Sequence, residues 1–180
     1  MIRITGGEAR GRTVPSPHEE GVRPTASKIR QAFFNILGAK TADADFLDIF
    51  AGTGLMGLEA ASRGARSVTS IEENRRMGKA IESCFHHLGY EPSVIVGDFR
   101  KILSNFQPDA FDIIYADPPY QSRFAASVTE LVDKLGLLRV SGIFAVEHAR
   151  TIQFGDNYTA LKYKNTRVYG QTAVSFFTRA

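Results

Sequence analysis

A glycine-rich segment between an apolar run and a helical run is the feature that most limits the folds open to this chain. Asp48 lies near the end of an apolar stretch, and Gly52, Gly54 and Gly57 follow it in the spacing GxGxxG. Glycines at a strand-to-helix turn let the backbone turn sharply and approach a ligand closely, while the first turn of the helix offers free N–H groups. The segment therefore predicts a ligand site at the carboxyl end of a parallel strand.

Short apolar runs alternate with helical stretches over most of the chain. The runs predicted as strands are 46–50, 67–71, 93–96, 111–116 and 142–146, with helices between them. This alternation is typical of an α/β fold with a mostly parallel sheet covered on both faces. Near the end, Tyr158–Tyr163 and Val168–Phe177 predict an antiparallel hairpin with its turn at 164–166.

The first forty residues are the most basic part of the chain. They hold seven Lys and Arg against three Glu, a net charge of +4, whereas the remaining residues sum to −1. Glycines and prolines among the arginines predict a basic loop after a short first strand, and Thr25 is a candidate N-cap for a helix that ends at Gly38. The charge favours a polyanionic partner such as nucleic acid, although a solvated basic face gives the same pattern.

Composition sets limits on the class of protein. With 180 residues, 43% of them hydrophobic, the chain fits one globular domain and leaves little room for a large recognition domain. Its single cysteine, Cys84, excludes an internal disulfide, and with His87 it supplies too few ligands for a closed zinc site. No apolar run is long enough for a membrane span, and no signal peptide is visible, so we expect a cytoplasmic protein without a metal.

An acidic residue at the end of the second predicted strand limits the class of ligand that the site can bind. Glu72 follows Gly52 by 20 residues, where a carboxylate can accept hydrogen bonds from ribose hydroxyls. After the third strand, Asp98 is predicted both to cap a helix and to accept an adenine amine, and Phe99 to pack against the adenine ring. These residues therefore predict a ligand that contains a nucleoside. Both a dinucleotide and S-adenosylmethionine fit this pattern.

The tetrapeptide Asp117-Pro118-Pro119-Tyr120 follows the fourth predicted strand. Its two prolines stiffen the turn and fix the directions of their neighbours. Asp117 and a proline carbonyl then present two acceptors to a planar exocyclic amine, whose N–H bonds must both be held while a methyl group approaches, and Tyr120 can stack on the base. The tetrapeptide looks like the motif of S-adenosylmethionine-dependent amino-methyltransferases, which favours that cofactor.

The chain resembles the bacterial small-subunit ribosomal RNA guanine-N2 methyltransferases over nearly its whole length. Besides the two motifs, the likeness is carried by segments 6–12, 23–25, 29–30, 34–37 and 169–170. The resemblance implies a Rossmann-like class I methyltransferase fold, with a mostly parallel seven-stranded sheet that ends in an antiparallel hairpin. It also implies a single domain over 1–180, in which 1–24 form a basic arm that contacts RNA and 25–38 form a leading helix.

The resemblance also implies which residues form the site and what the substrate is. S-adenosylmethionine would be bound by Asp48, Ala51, Gly52, Thr53, Gly54, Glu72, Asp98 and Phe99. The catalytic turn would be Asp117, Pro118, Pro119 and Tyr120, holding a guanine of 16S rRNA in the small ribosomal subunit. Candidates for phosphate contacts are Arg10, Arg12, Arg23, Lys28 and Arg30. The enzyme is expected to act as a monomer.

Other activities remain open on sequence grounds. Related tetrapeptides serve amines of adenine or cytosine in DNA and the side-chain amide of glutamine, and an RNA-binding assembly factor could keep the fold without catalysis. Glu147 and His148 end the fifth predicted strand at the ligand edge, but the sequence assigns them no role.

Overall fold

The alternating pattern folds as nine strands and five α-helices within the part of the chain that the computed structural model describes, residues 2–15, 27–119, 123–155 and 157–179. The strands are β1 (Ile2–Arg3), β2 (Thr13–Val14), β3 (Asp45–Ile49), β4 (Ser67–Glu72), β5 (Ser93–Val96), β6 (Phe111–Ala116), β7 (Leu138–Ala149), β8 (Leu161–Tyr169) and β9 (Thr172–Arg179). The helices are α1 (Ser27–Leu37), α2 (Leu55–Ser62), α3 (Arg75–Leu88), α4 (Phe99–Leu103) and α5 (Phe124–Leu135), and a short 3₁₀ helix covers Gly38–Thr41.

The main sheet has seven strands in the order β5-β4-β3-β6-β7-β9-β8. Neighbours from β5 to β7 are parallel, and β9 runs antiparallel to both β7 and β8. The predicted fold class is thus confirmed. From β3 the chain first builds the sheet on one side, through β4 and β5, and then on the other, through β6 and β7. Such a switch point opens a crevice at the carboxyl ends of the strands, where ligands bind in folds of this kind.

Two apolar layers hold the helices against the sheet. On one face α1, α2 and α3 pack through residues such as Phe33, Leu58 and Phe85, all at most 1% exposed. On the other face α4 and α5 pack through residues such as Leu103 and Val128, both fully buried. The central strands are buried on both sides, which explains why they read as continuous apolar runs in the sequence.

Residues 2–15 form a small folded hairpin whose apolar side chains are buried. β1 pairs with β2, and Ile4, Ala9 and Val14 are each at most 2% exposed. A Cβ at Gly7 would lie 1.8 Å from the carbonyl oxygen of Ser62, so the hairpin backbone touches α2 directly. The short first strand and the loop after it are present as expected, and the loop, residues 4–12, is packed on α2.

The C-terminal hairpin is present, but its turn lies elsewhere than predicted. β8 continues through 164–166 with a register irregularity, and the chain reverses at Gly170, whose φ is +66°. The polar residues at 164–166 belong to an edge strand and are exposed, which is why they resemble a turn in the sequence. The sheet edge is thus longer than the sequence indicates.

The leading helix agrees with its prediction where the structure describes it, over Ser27–Leu37, and the proposed cap Thr25 lies outside the described residues. None of the helices in the described part of the chain has the length and apolar character that spanning a bilayer requires. Within the same residues, no three His, Cys, Asp or Glu side chains are grouped so that they could hold a metal ion.

Candidate active site

The glycine turn after β3 is held in a conformation that L side chains rarely adopt. Gly52 and Gly54 have φ values of +54° and +71°, and a Cβ at Gly54 would lie 2.8 Å from the side chain of Ile81. The N–H of Ala51 donates to the carbonyl of Ile71 at 2.9 Å, which ties the turn to β4. The glycine spacing in the sequence thus reflects both positive φ and a close approach of the turn to α3.

Asp48 lies beneath this turn. It is 2% exposed, and its carboxylate accepts a hydrogen bond from the N–H of Gly57, in the first turn of α2, at 3.2 Å. Burial raises the pKa of Asp48 to about 8, and the charges of Asp117 and Glu72 add to the rise, while the Gly57 hydrogen bond opposes it. A buried acid of this kind is suited to a cationic group such as an α-ammonium or a sulfonium.

Glu72 connects the two loops that frame the crevice. One carboxylate oxygen accepts from the N–H of Gly52 at 2.8 Å, and the other accepts from the N–H of Asn74 at 2.8 Å. Its contact with Gly52 brings together the two sequence features that are 20 residues apart. Carboxylate oxygens have further lone pairs, so Glu72 can still accept from ribose hydroxyls.

Asp98 acts as the predicted helix cap. Its side chain accepts from the N–H of Arg100 at 2.9 Å, at the start of α4, and also from the guanidinium of the same residue. These bonds with Arg100 lower the pKa of Asp98 to about 2. The carboxylate therefore already has a cationic partner, and an adenine amine would share it with Arg100.

An aromatic cleft lies beside Asp98, and the sequence pointed to only one of its rings. Phe99 packs with Phe50 and Phe124 at ring-centroid distances of 4.7 and 5.4 Å, and Phe50 stacks on Phe124 at an angle of 10°. The cleft is lined by Phe50, Ile71, Glu73, Gly97, Asp98, Phe99, Arg100 and Phe124. Phe50 has a φ of +63°, an unusual conformation for a bulky residue, and such conformations cluster at functional sites.

The proline turn after β6 faces the glycine turn. The N–H of Asp117 donates to the carbonyl of Ile49 at 3.2 Å, so the last residues of β3 hold the start of the tetrapeptide. Asp117 is partly exposed, Pro118 is buried and Pro119 is exposed. Tyr120 lies outside the described residues. Asp117 and Asp48 are close enough for the charge of Asp117 to raise the pKa of Asp48, so the two predicted motifs form one site.

A second acidic side chain lies next to the proline turn. Glu147, near the end of β7, is 3% exposed and accepts a hydrogen bond from the hydroxyl of Tyr115 on β6. Its neighbour His148 faces the other side of the sheet, where its Nε2 lies 2.7 Å from Oγ of Ser175. The sequence placed both residues at this edge, but only the register of the strands shows that Glu147 adjoins Asp117.

The residues predicted to contact RNA differ in their exposure in the structure. Arg10, Arg12 and Lys28 are exposed, and Arg12 donates to the backbone carbonyls of His87 and Leu88 at the end of α3. Arg23 lies outside the described residues. Arg30 is 3% exposed and its Nε lies 3.1 Å from Glu59, so its predicted RNA contact is corrected to a structural role. The spacing of apolar residues in α1 could not show this, because Glu59 comes from another helix.

Comparison with known proteins identifies the family. The family model described as conserved hypothetical protein 95 matches residues 2–178. This chain belongs to that family. A relative of the family in Escherichia coli K12, named ribosomal RNA small subunit methyltransferase D, is 33% identical over 147 residues, which cover 82% of this chain and 74% of the relative. A Haemophilus influenzae protein of the same name is 31% identical and covers 93% of this chain and 90% of the relative.

Solved structures of similar chains support the fold. A putative methyltransferase from Escherichia coli superposes with a TM-score of 0.87 at 30% identity, covering 99% of this chain and 97% of that one. A putative RNA methyltransferase from Pyrococcus horikoshii, with a TM-score of 0.74 at 13% identity over 93% and 94% of the chains, shares the fold alone. The Rossmann-like methyltransferase fold and the resemblance seen in the sequence are thereby confirmed. A further structure of the same fold, a putative methyltransferase complexed with SAH, has a TM-score of 0.64 at 17% identity over 84% of this chain and 48% of that one.

Proposed function

We propose that this chain transfers a methyl group from S-adenosylmethionine to the N2 amine of a guanine in 16S rRNA of the small ribosomal subunit. The observation that carries the proposal is the hydrogen bond from the N–H of Asp117 to the carbonyl of Ile49, at 3.2 Å. It fixes the start of the acceptor turn to the last residue of β3, from which the glycine turn begins, so that a methyl donor bound at the glycine turn would lie beside an amine bound at Asp117. The relatives named small subunit methyltransferase D support ribosomal RNA as the substrate class.

The residues present fit the cofactor. The buried carboxylate of Asp48 suits its cationic end, Glu72 offers acceptors for ribose hydroxyls, and the cleft lined by the contacting rings of Phe50 and Phe99 offers an apolar surface to a planar base. Ala51, Thr53 and the two glycines of the turn would bring the backbone into contact with the same ligand. When bound, S-adenosylmethionine supplies an electrophilic methyl group on a positively charged sulfur.

The acceptor turn would orient the amine rather than activate it strongly. Asp117 and the carbonyl of Pro118 accept the two N–H bonds of N2, and Tyr120 stacks on a guanine turned out of its helix or loop. Fixing both N–H bonds directs the nitrogen lone pair toward the methyl group, and placing two reactants in line lowers the barrier substantially. Asp117, as an acceptor of one of these N–H bonds, would also accept the proton that leaves the methylated nitrogen.

Basic residues near the hairpin would contact the RNA backbone. Arg10, Arg12 and Lys28 are exposed in the structure, and Arg23 completes the set from the sequence. The hairpin is anchored on α2, so these contacts would also fix how far the bound RNA lies from the site. We expect the protein to act as a monomer in the cytoplasm, where small subunits are assembled.

The proposal is tested by methyl transfer to defined substrates. Purified protein is incubated with radiolabelled S-adenosylmethionine and small subunits from cells that lack the activity, and the RNA is digested for mass identification of the nucleoside. N2-methylguanosine that forms with subunits and is lost in Asp117→Ala supports the proposal. Label in another base, in DNA or in glutamine would contradict the guanine assignment. Cofactor binding without transfer to any of these would favour a non-catalytic RNA-binding factor.

A further inference from the structure

Three acidic side chains from three adjacent strands meet at the carboxyl edge of the sheet. Asp48 lies near the end of β3, Asp117 directly follows β6, and Glu147 lies near the end of β7. Ala116 pairs with Val146 across β6 and β7, so Asp117 and Glu147 occupy the next positions along adjacent parallel strands. The acid that would hold the methyl acceptor thus has a second, more deeply buried acid beside it.

Among the described residues, Glu147 has a hydrogen-bond donor but no cationic partner. The hydroxyl of Tyr115 donates to it from β6, and the pairing residue on β9 is Val174. The charged group facing it from the loop after β6 is Asp117, and within the described residues no Lys, Arg or His forms an ion pair with it. His148 is turned to Ser175 on the opposite face.

The described residues of the other elements near this pair add no unpaired positive charge. From α1, Phe33 packs on the ring of Tyr115 at 4.7 Å, and Arg30 of the same helix is paired with Glu59. From β3, Asp48 adds a further acid, close enough to influence Tyr115. Burial, followed by the charge of Asp117, raises the pKa of Glu147 to about 8, while the Tyr115 hydrogen bond opposes the rise. A buried carboxyl without a cation is stable only in its neutral form.

We propose that Glu147 is a positioning residue that exchanges a proton with the site, being neutral while no cation is present and ionised once a sulfonium ligand is bound. The inference rests on the proposed function, because the methyl group must reach the amine held at Asp117, and the positive sulfur therefore enters beside Glu147. Its charge stabilises the carboxylate, so binding of S-adenosylmethionine releases a proton to solvent.

The same exchange balances the transfer step. The N2 lone pair forms the new N–C bond, the C–S bond breaks with its electron pair going to sulfur, and the sulfur becomes neutral. The nitrogen then loses one proton to Asp117, and its N–H electron pair returns to nitrogen. As the positive sulfur is now gone, the proton passes from Asp117 to Glu147, which regains its neutral form. One proton leaves on cofactor binding, and the one produced by the reaction stays in the site.

Calorimetric titration measures this exchange without turnover. The wild-type protein is titrated with S-adenosylmethionine and with S-adenosylhomocysteine, which lacks the positive sulfur, near neutral pH in two buffers that differ in protonation enthalpy. The difference in heat between buffers gives the number of protons released. We expect S-adenosylmethionine to release about half a proton or more per site beyond S-adenosylhomocysteine, since only the former brings a positive sulfur. Equal release by the two ligands would overturn the inference.

Variants assign the proton to Glu147. In Glu147→Gln the extra release should be lost while both ligands still bind; if it persists, the inference is overturned and the proton belongs to Asp48. Tyr115→Phe removes the hydrogen bond that favours the carboxylate, so the pH of half-maximal release should move upward. His148→Gln, at a buried residue on the opposite face, should leave the release unchanged. Thermal unfolding of each variant confirms that it is folded.

The outcomes separate this inference from the proposed function. Tight binding without ligand-dependent proton release would contradict the role of Glu147 and leave methyl transfer intact. If the wild-type protein binds neither ligand, both the inference and the proposed function are wrong. Proton release that depends on Glu147, in a protein that methylates a base other than guanine, would support the inference and correct only the substrate.

Discussion

Arg30 of α1 and Glu59 of α2 form a buried ion pair in which Nε lies 3.1 Å from Oε1 and the side chains are 3% and 0% exposed. The same carboxylate accepts from the N–H and hydroxyl of Thr5, and Arg63 approaches its other oxygen at 3.3 Å. Glu59 therefore joins the N-terminal hairpin, the leading helix and α2 at one point.

We predict that Arg30→Ala lowers the free energy of unfolding by about 3–5 kcal/mol, because it leaves the carboxylate buried without its most buried partner. Urea denaturation followed by circular dichroism measures the change. Arg10→Ala, at an exposed position, is the matched control and should change stability by less than about 0.5 kcal/mol. If both variants unfold alike, the Arg30–Glu59 pair does not hold the hairpin.

Asp117→Ala should separate chemistry from cofactor binding. We expect the turnover number on small subunits to fall by at least about a hundredfold, because one of the two acceptors that orient the amine is removed. The dissociation constant for S-adenosylmethionine should stay within a few-fold of wild type. Single-turnover kinetics measure the rate of methyl transfer, and calorimetry measures the dissociation constant. Near-normal turnover would show that Asp117 has no catalytic role.

Glu72→Gln should weaken cofactor binding without altering chemistry at saturation. The glutamine can offer only one oxygen where Glu72 now accepts from the N–H groups of both Gly52 and Asn74. The amide also replaces a charged acceptor for the ribose hydroxyls, and losing a hydrogen bond to a charged group costs about 1.5–3 kcal/mol, or about ten- to a hundredfold in affinity. Glu91→Gln, at an exposed position far from the turn, is the control, and equal affinities in the two variants would contradict the role of Glu72.

The ligand-free protein should lose stability from Asp48 as the pH rises. The pKa of this buried acid is raised to about 8 from an ordinary value of 3.8, so between these values the folded state binds more protons than the unfolded state. Stability from this group is present at low pH and falls as the pH approaches 8. Asp48→Asn removes the pH dependence of stability that comes from this group. The melting temperature of the variant should therefore rise relative to that of the wild type between about pH 5 and pH 8. A pH-independent difference would contradict the burial argument.

Exposed arginines on the hairpin should contribute to RNA binding through charge. Arg10→Glu is expected to weaken binding to small subunits and to reduce the slope of log affinity against log salt by about one. Lys162→Glu is the control, since Lys162 is exposed on β8, an edge strand of the sheet, whereas the hairpin is attached to α2. Equal effects of the two substitutions on binding and salt slope would place the RNA elsewhere.

Local sequence signals were sufficient for the parallel strands and for the positions of the glycine and proline turns, but not for the turn of the C-terminal hairpin, which lies at Gly170 rather than at 164–166. Continuous apolar runs identify buried parallel strands, and the glycine and proline turns carry their geometry in the residue types themselves. Properties that depend on distant partners were not accessible in this way. The burial of Arg30 requires Glu59 from another helix, Phe124 reaches the cleft from α5, and Glu147 adjoins Asp117 only through the register of β6 and β7.

The N-terminal hairpin and the glycine turn are attached to the two ends of one short helix. Ser62, at the end of α2, donates to the carbonyl of Gly6 at 2.6 Å and accepts from the N–H of Ala9 at 3.0 Å, whereas Gly54 begins the same helix. If Arg10 binds a phosphate and Gly54 contacts the cofactor, the fixed length of α2 would set the distance between the two. The position of the methylated base relative to its RNA backbone would then be selected by distance as well as by base identity.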